Sequence, residues 1–241
     1  MTDRPDLDRY PELQAAWDRR RLLKAAAIGT TFIAVGGSLV RLASAEQSTI
    51  AKEKRPDGRR RLPPGQRTLE YLRPMGGEEG DPDPRKFTLK VHGLVKSPFT
   101  VDYAELLKLP QVEKIADVHC VTGWSMLGGL WKGVQIKTLA EKAGIKGDVK
   151  HVILESAHGF TANIPLKEAT TDNALITYRL NGKPFATQHG APVRGLVPDL
   201  YFWKSAKWIT GVRFVRDDAP GFWEVRGYHN HADPWKEERY A

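Results

Sequence analysis

Cysteine occurs once in the 241 residues, at position 120. That excludes an internal disulfide, and it excludes a zinc or iron–sulfur centre built by the chain alone, since these need several soft ligands. The phosphate-cradling Gly-x-Gly-x-x-Gly pattern is absent, which argues against a dinucleotide site. There is no Cys-x-x-Cys-His haem-attachment motif and no internal repeat. No apolar run reaches the roughly 20 residues of a membrane-spanning helix. A lone thiolate can still act as a nucleophile, or serve as one ligand to a metal held mainly by something else.

What is present reads as a globular protein. Hydrophobic residues make up 41% and charged residues 27%, which is ordinary usage for a folded domain. The length suits one domain with a tail. A net charge of +8 is compatible with nucleic acid, an anionic surface or an anionic ligand. The N-terminus argues against nucleic acid. Arg19-Arg20, followed by Leu22-Leu23 and Lys24, fits the twin-arginine export pattern. Ala25 to Val40 is a short apolar run with three glycines, closed by Arg41. Ala43-Ser44-Ala45 offers a cleavage site. We therefore expect residues 1–45 to be a signal peptide, with an uncleaved membrane tether as the alternative. The export machinery would then be a partner, and the protein would be periplasmic and exported already folded, as proteins loaded with a complex cofactor are.

Residues 46–85 read as a basic linker and loop. Lys52 to Arg61 is strongly charged, Pro63-Pro64-Gly65 follows, and Met75 to Pro84 is rich in glycine, proline and acid. No core-forming pattern is present there, and a solvated tether is expected. From Lys86 to Ala241 the pattern changes to that of one folded domain. Alternation predicts strands at 87–91, 114–119, 151–155, 160–164, 174–180, 193–197 and 208–215. A capping box at Asp102 and Glu105 opens a short helix that stops before Pro110. An amphipathic helix is predicted over 136–143, ended by Gly144, and a short one after Pro165. Asn181-Gly182 predicts a tight hairpin turn. Short strands with a few short helices mean an α+β domain with mixed or largely antiparallel sheets.

Three segments carry chemistry. The first is Asp117-Val118-His119-Cys120-Val121-Thr122-Gly123-Trp124-Ser125, with Cys120 at a strand end. The second is His189-Gly190-Ala191-Pro192-Val193-Arg194, where a rigid turn precedes a guanidinium suited to a phosphate. The third is Tyr201-Phe202-Trp203-Lys204-Ser205-Ala206-Lys207-Trp208, whose lysines and backbone amides suit an anionic group. On composition alone, a solvated strand edge is the favoured reading of Arg194 and the lysines. His119 lies beside Cys120, and neighbours on a strand face opposite ways, so it is poorly placed as a base for a cysteine nucleophile.

In this order, the three segments resemble the molybdopterin-binding domain of the sulfite oxidase family. The likeness runs from about Lys86 to the C-terminus. The tail, with Gly221-Phe222-Trp223-Glu224-Val225-Arg226-Gly227-Tyr228 and Asp233-Pro234-Trp235, resembles the compact bacterial branch of that family. The resemblance implies the sulfite-oxidase-type molybdopterin-binding fold in a single domain. It also implies a Mo-molybdopterin cofactor with Cys120 as the one protein ligand to the metal. His189, Arg194, Ser205, Ala206 and Lys207 would bind the pterin and its phosphate. Ser156 matches a position that touches the pterin, and Arg73 would sit near the metal. Trp124 and Tyr201 would line the mouth of the site, with a place in the core as the alternative.

The implied activity is oxygen-atom transfer to or from a small sulfur or nitrogen oxo compound. Electrons would be exchanged with a separate partner, a membrane haem protein or a cytochrome c, and the protein would be a monomer. Sulfite oxidases proper carry arginines soon after the ligand cysteine, whereas Val121 to Met126 contains none. Bacterial methionine sulfoxide reductase catalytic subunits share the export signal and the Gly-Ala-Pro-Val-Arg run, with Asn where this chain has His189. Reduction of an S-oxide or N-oxide is therefore a second direction for the chemistry. Sulfite oxidation proper, a cysteine-nucleophile enzyme and a metal-free binding protein are the alternatives. His229 and His231 form a His-x-His pair whose role the sequence leaves open, a zinc site being one reading.

Overall fold

The computed structural model describes residues 50–241. The twin-arginine pair, the apolar run and the cleavage site lie outside them. Among the described residues no helix is long and apolar enough to cross a membrane.

Two sheets organise the domain. The six-stranded sheet contains β1 (Arg67–Thr68), β4 (Val112–His119), β5 (Trp124–Gln135), β8 (Leu175–Leu180), β9 (Lys183–Pro184) and β10 (Arg194–Leu196). Its backbone order is β1-β5-β8-β10, with β4 also on β5 and β9 on β8. The five-stranded sheet contains β2 (Thr88–Gly93), β3 (Phe99–Asp102), β6 (His151–Ser156), β7 (Thr161–Pro165) and β11 (Ile209–Val215), in the order β3-β2-β11-β6-β7. Most pairings are antiparallel; β1 on β5 and β2 on β11 are parallel. This is the mixed α+β architecture expected from the short alternating strands.

Local chemistry accounts for the elements. Leu89 and Val91 of β2 are buried between exposed neighbours, the period-2 signature of a strand. Helix α1 (Tyr103–Lys108) opens on a complete capping box: Asp102 accepts from the Glu105 backbone, and the Glu105 side chain accepts from the Asp102 backbone. Helix α2 (Ile136–Ala143) buries Ile136, Leu139, Ala140 and Ala143 on one stripe and ends at Gly144, whose φ of 63° is left-handed. Helix α3 (Leu166–Ala169) follows Pro165. Asn181 and Gly182, both at positive φ, turn β8 into β9. β5 is one continuous twelve-residue strand. Gly133 makes this possible, because a Cβ there would lie 2.2 Å from the Ile176 carbonyl.

The largest correction concerns the expected tether. Residues 51–241 form one unit, and the segment before β2 is bound to the sheets. Arg61 makes a two-pronged contact with Asp117, at 2.9 and 2.6 Å. Arg55 pairs with Asp199, and Arg55 and Arg59 lie over the Trp235 ring. β1 then adds to β5 through Arg67–Trp124 and Thr68–Ser125. Composition hid this, because the partners are acidic and aromatic residues far along the chain rather than a local apolar pattern.

Candidate active site

Loops at the ends of strands from both sheets enclose a cleft of about 470 Å³. Cys120, Arg73, His189, Arg194, Ser205, Ala206 and Lys207 all line it. Ser156 lies at the end of β6, buried, one residue before the lining residue Ala157. The cleft thus gathers residues that are far apart in sequence.

Cys120 follows β4 directly. Its N–H donates to the Trp124 carbonyl at 2.8 Å, closing a tight turn through Gly123, which sits at φ 86°. Its Sγ lies 3.2 Å from Thr122 Oγ1. His119 points elsewhere: Nδ1 lies 2.8 Å from Ser125 Oγ, and the ring packs edge-on against Trp235. Burial holds its pKa down at about 3, so it is neutral. It is no base for Cys120.

Part of the cleft wall is cationic. Arg194 is 2% exposed. Its guanidinium donates to the backbone carbonyls of His189 at 2.9 Å and Ser205 at 2.8 Å, and it lies 4.3 Å over the Phe202 ring. Among the described residues no carboxylate pairs with it. Burial presses its pKa down to about 9, so it remains a cation at neutral pH. Lys207 Nζ donates to the carbonyls of Gly76 and Gln188. Burial first, and Arg194 second, lower its pKa to about 8. Burial, Arg194 and Lys207 likewise depress His189.

A buried cation without a counter-charge is unfavourable unless an anion joins it. The donor set therefore fits an anionic cofactor group. Ser156 Oγ is buried with no hydrogen-bond partner, a second feature that a polar group in the cleft would satisfy. Cys120 supplies one soft ligand, which is enough for a metal whose other sulfurs come from its cofactor.

Other expectations are not met. Trp124 and Tyr201 are fully buried in the six-stranded sheet's core and do not line the cleft. The aromatic wall is made instead by Phe160, Phe202, Trp203, Trp208, Phe222, Trp223 and Tyr228. Lys204 is not a cleft cation either: it is fully buried, 2.6 Å from Glu224. His229 and His231 stand among carboxylates, with His231 Nδ1 2.8 Å from Glu238. No group of three or more metal-binding side chains occurs among the described residues.

The family model described as oxidoreductase molybdopterin binding domain matches residues 77–223. The chain is 40% identical over 196 residues to the uncharacterized oxidoreductase YuiH of Bacillus subtilis, covering 80% of this chain and 98% of that one. It is 29% identical to the protein-methionine-sulfoxide reductase catalytic subunit MsrP of Ralstonia nicotianae, over 90% of this chain and 76% of the relative. The solved sulfane dehydrogenase SoxCD of Paracoccus pantotrophus shares the fold at a TM-score of 0.53 and 20% identity, over 58% of this chain and 40% of that chain.

Proposed function

The chain belongs to the family of molybdopterin-binding oxidoreductases, and from that premise we propose that it is a periplasmic molybdenum enzyme of oxygen-atom transfer. Cys120 is its metal ligand, and the substrate is a small sulfur or nitrogen oxo compound. The observation that carries this reading is the pairing in one cleft of the only thiol with a buried, carboxylate-free guanidinium. When bound, the molybdopterin supplies two-electron oxygen-atom exchange with a substrate lone pair.

The residues of the chain do the rest. Arg194, Lys207 and His189 hold the anionic end of the cofactor, and the Ser205-Ala206 segment approaches it through the backbone. Ser156 offers its hydroxyl to the pterin, and Arg73 stands at the cleft wall. The aromatic wall beside Cys120 excludes water and favours a neutral organic oxo group over a small dianion. This supports reduction of an S-oxide or N-oxide over sulfite oxidation, as does the absence of arginine from Val121 to Met126. The relative named as a catalytic subunit supports electron exchange with a separate partner. The twin-arginine pattern supports export.

The test is a substrate panel on enzyme matured with its cofactor: S- and N-oxides with a reduced dye, and sulfite with an electron acceptor. Turnover of the oxides is expected. Activity confined to sulfite would overturn the substrate reading, and no turnover of either class would overturn the proposal.

A further inference from the structure

A chain of directional hydrogen bonds runs behind the Cys120 turn, and its polarity is set by one fact. A backbone carbonyl only accepts. Gln66 Nε2 lies 3.0 Å from the Cys120 carbonyl, so the NH2 side of the amide faces Cys120. Oε1 then faces Ser125, whose hydroxyl donates to it at 3.2 Å. Ser125 Oγ in turn accepts from His119 Nδ1 at 2.8 Å. His119 and Ser125 are fully buried. The adjoining strand adds two backbone bonds, Arg67 N–H to the Gly123 carbonyl and Leu69 N–H to the Ser125 carbonyl.

Within the turn, the Cys120 carbonyl accepts only from Gly123 N–H, at 3.1 Å, in a segment with glycine at its pivot. Gln66 adds a second bond from outside. It ties the peptide after Cys120 to a buried polar pair that cannot move without losing its own partners. Swinging that peptide would rotate the Cα–Cβ bond and re-aim Sγ. We propose that Gln66 is a positioning residue for the Cys120 thiolate, and that the segment from Arg61 to Leu69 is the strap that presents it. The proposal rests on the reading of Cys120 as the metal ligand.

Two variants of the full chain test it: Gln66→Ala, and Gln66→Glu, which keeps size and the acceptor toward Ser125 but removes the donor to Cys120. Cys120 is the single thiol, so iodoacetamide reports on it alone. In protein made without molybdopterin, both variants should raise the alkylation rate about fivefold, as expected for local opening after one lost hydrogen bond. In loaded enzyme, both should shift or broaden the thiolate-to-metal charge-transfer absorption. Glu53→Gln, in the segment that leads into the strap and away from the turn, should change neither. Wild-type alkylation and an unchanged absorption in both Gln66 variants would overturn the proposal. So would unfolding of the Glu isostere, which would make Gln66 merely structural. Failure of the ligand reading looks different: cofactor loading would leave Cys120 as reactive as before, whatever residue stands at 66.

Discussion

Lys204 and Lys207 belong to one short motif, and the fold treats them in opposite ways. Lys204 is fully buried against Glu224, and its Nζ also donates to the Asn163 carbonyl and side chain and to the Asn230 carbonyl. Burial lowers its pKa and Glu224 opposes that. Glu224 also accepts from Trp203 Nε1 at 2.8 Å. This cluster ties the C-terminal tail to the aromatic side of the cleft. Arg194 is also withdrawn from water and Lys207 is half-buried, but both donate to carbonyl dipoles and lie over aromatic rings, and only the more distant Glu79 opposes the depression of the Lys207 pKa. A buried charge with its counter-charge present holds architecture together. A buried charge with no carboxylate partner, as at Arg194, marks a place for an anionic ligand.

The largest expected effect lies on the architectural side. Lys204→Met strands the Glu224 carboxylate and should cost about 3–5 kcal/mol, a fall in melting temperature on the order of 10 °C for a domain of this size. The double variant Lys204→Met, Glu224→Leu should recover much of that. Thermal melts of all three proteins check it, and a single variant as stable as wild type would break the contrast.

Arg194→Met should behave in the reverse manner. The His189 and Ser205 carbonyls lose a donor, but an uncompensated buried charge disappears with it. The melting temperature should therefore fall less than for Lys204→Met. Cofactor retention should drop at least about tenfold, as charge-assisted hydrogen bonds are worth roughly 1.5–3 kcal/mol. Pterin content after gel filtration measures it. Retention like that of wild type would mean that Arg194 is structural after all.

The smallest effect is a pH dependence. Lys207 has a folded pKa of about 8, below its ordinary value. It is a cation below that pH and neutral above it. Affinity of the cofactor-free protein for inorganic pyrophosphate should weaken as pH rises past about 8. Stability should move the opposite way, because the cost of burying the ammonium is relieved between the folded pKa and the ordinary lysine value. Lys207→Met should remove the step near pH 8 from both profiles and leave the one that Arg194 contributes near pH 9. Calorimetric titration and melts across pH 7 to 10 would show them; profiles unchanged in the variant would assign the effect elsewhere.

Much of this was legible in the sequence. The capping box at Asp102, the stripe of α2 with its Gly144 stop and the Asn181-Gly182 hairpin are local devices, and local chemistry reads them well. Cys120, His189, Arg194 and Lys207 were identified through segments whose order mattered more than any one of them. What escaped was long-range. Nothing near Arg61 announces Asp117, and nothing in Gln66 announces the Cys120 carbonyl. The burial of Trp124 and Tyr201, and the division of labour between Lys204 and Lys207, depend on which way a turn faces. That is decided by packing between distant strands.

On the proposed function, Cys120 and the cationic wall hold one molybdopterin, with Cys120 on the metal. Metal analysis of protein matured with its cofactor tests it most directly, comparing wild type with Cys120→Ser. Molybdenum near one per chain is expected in wild type, and its loss in the variant. Full molybdenum loading with serine at position 120 would contradict it.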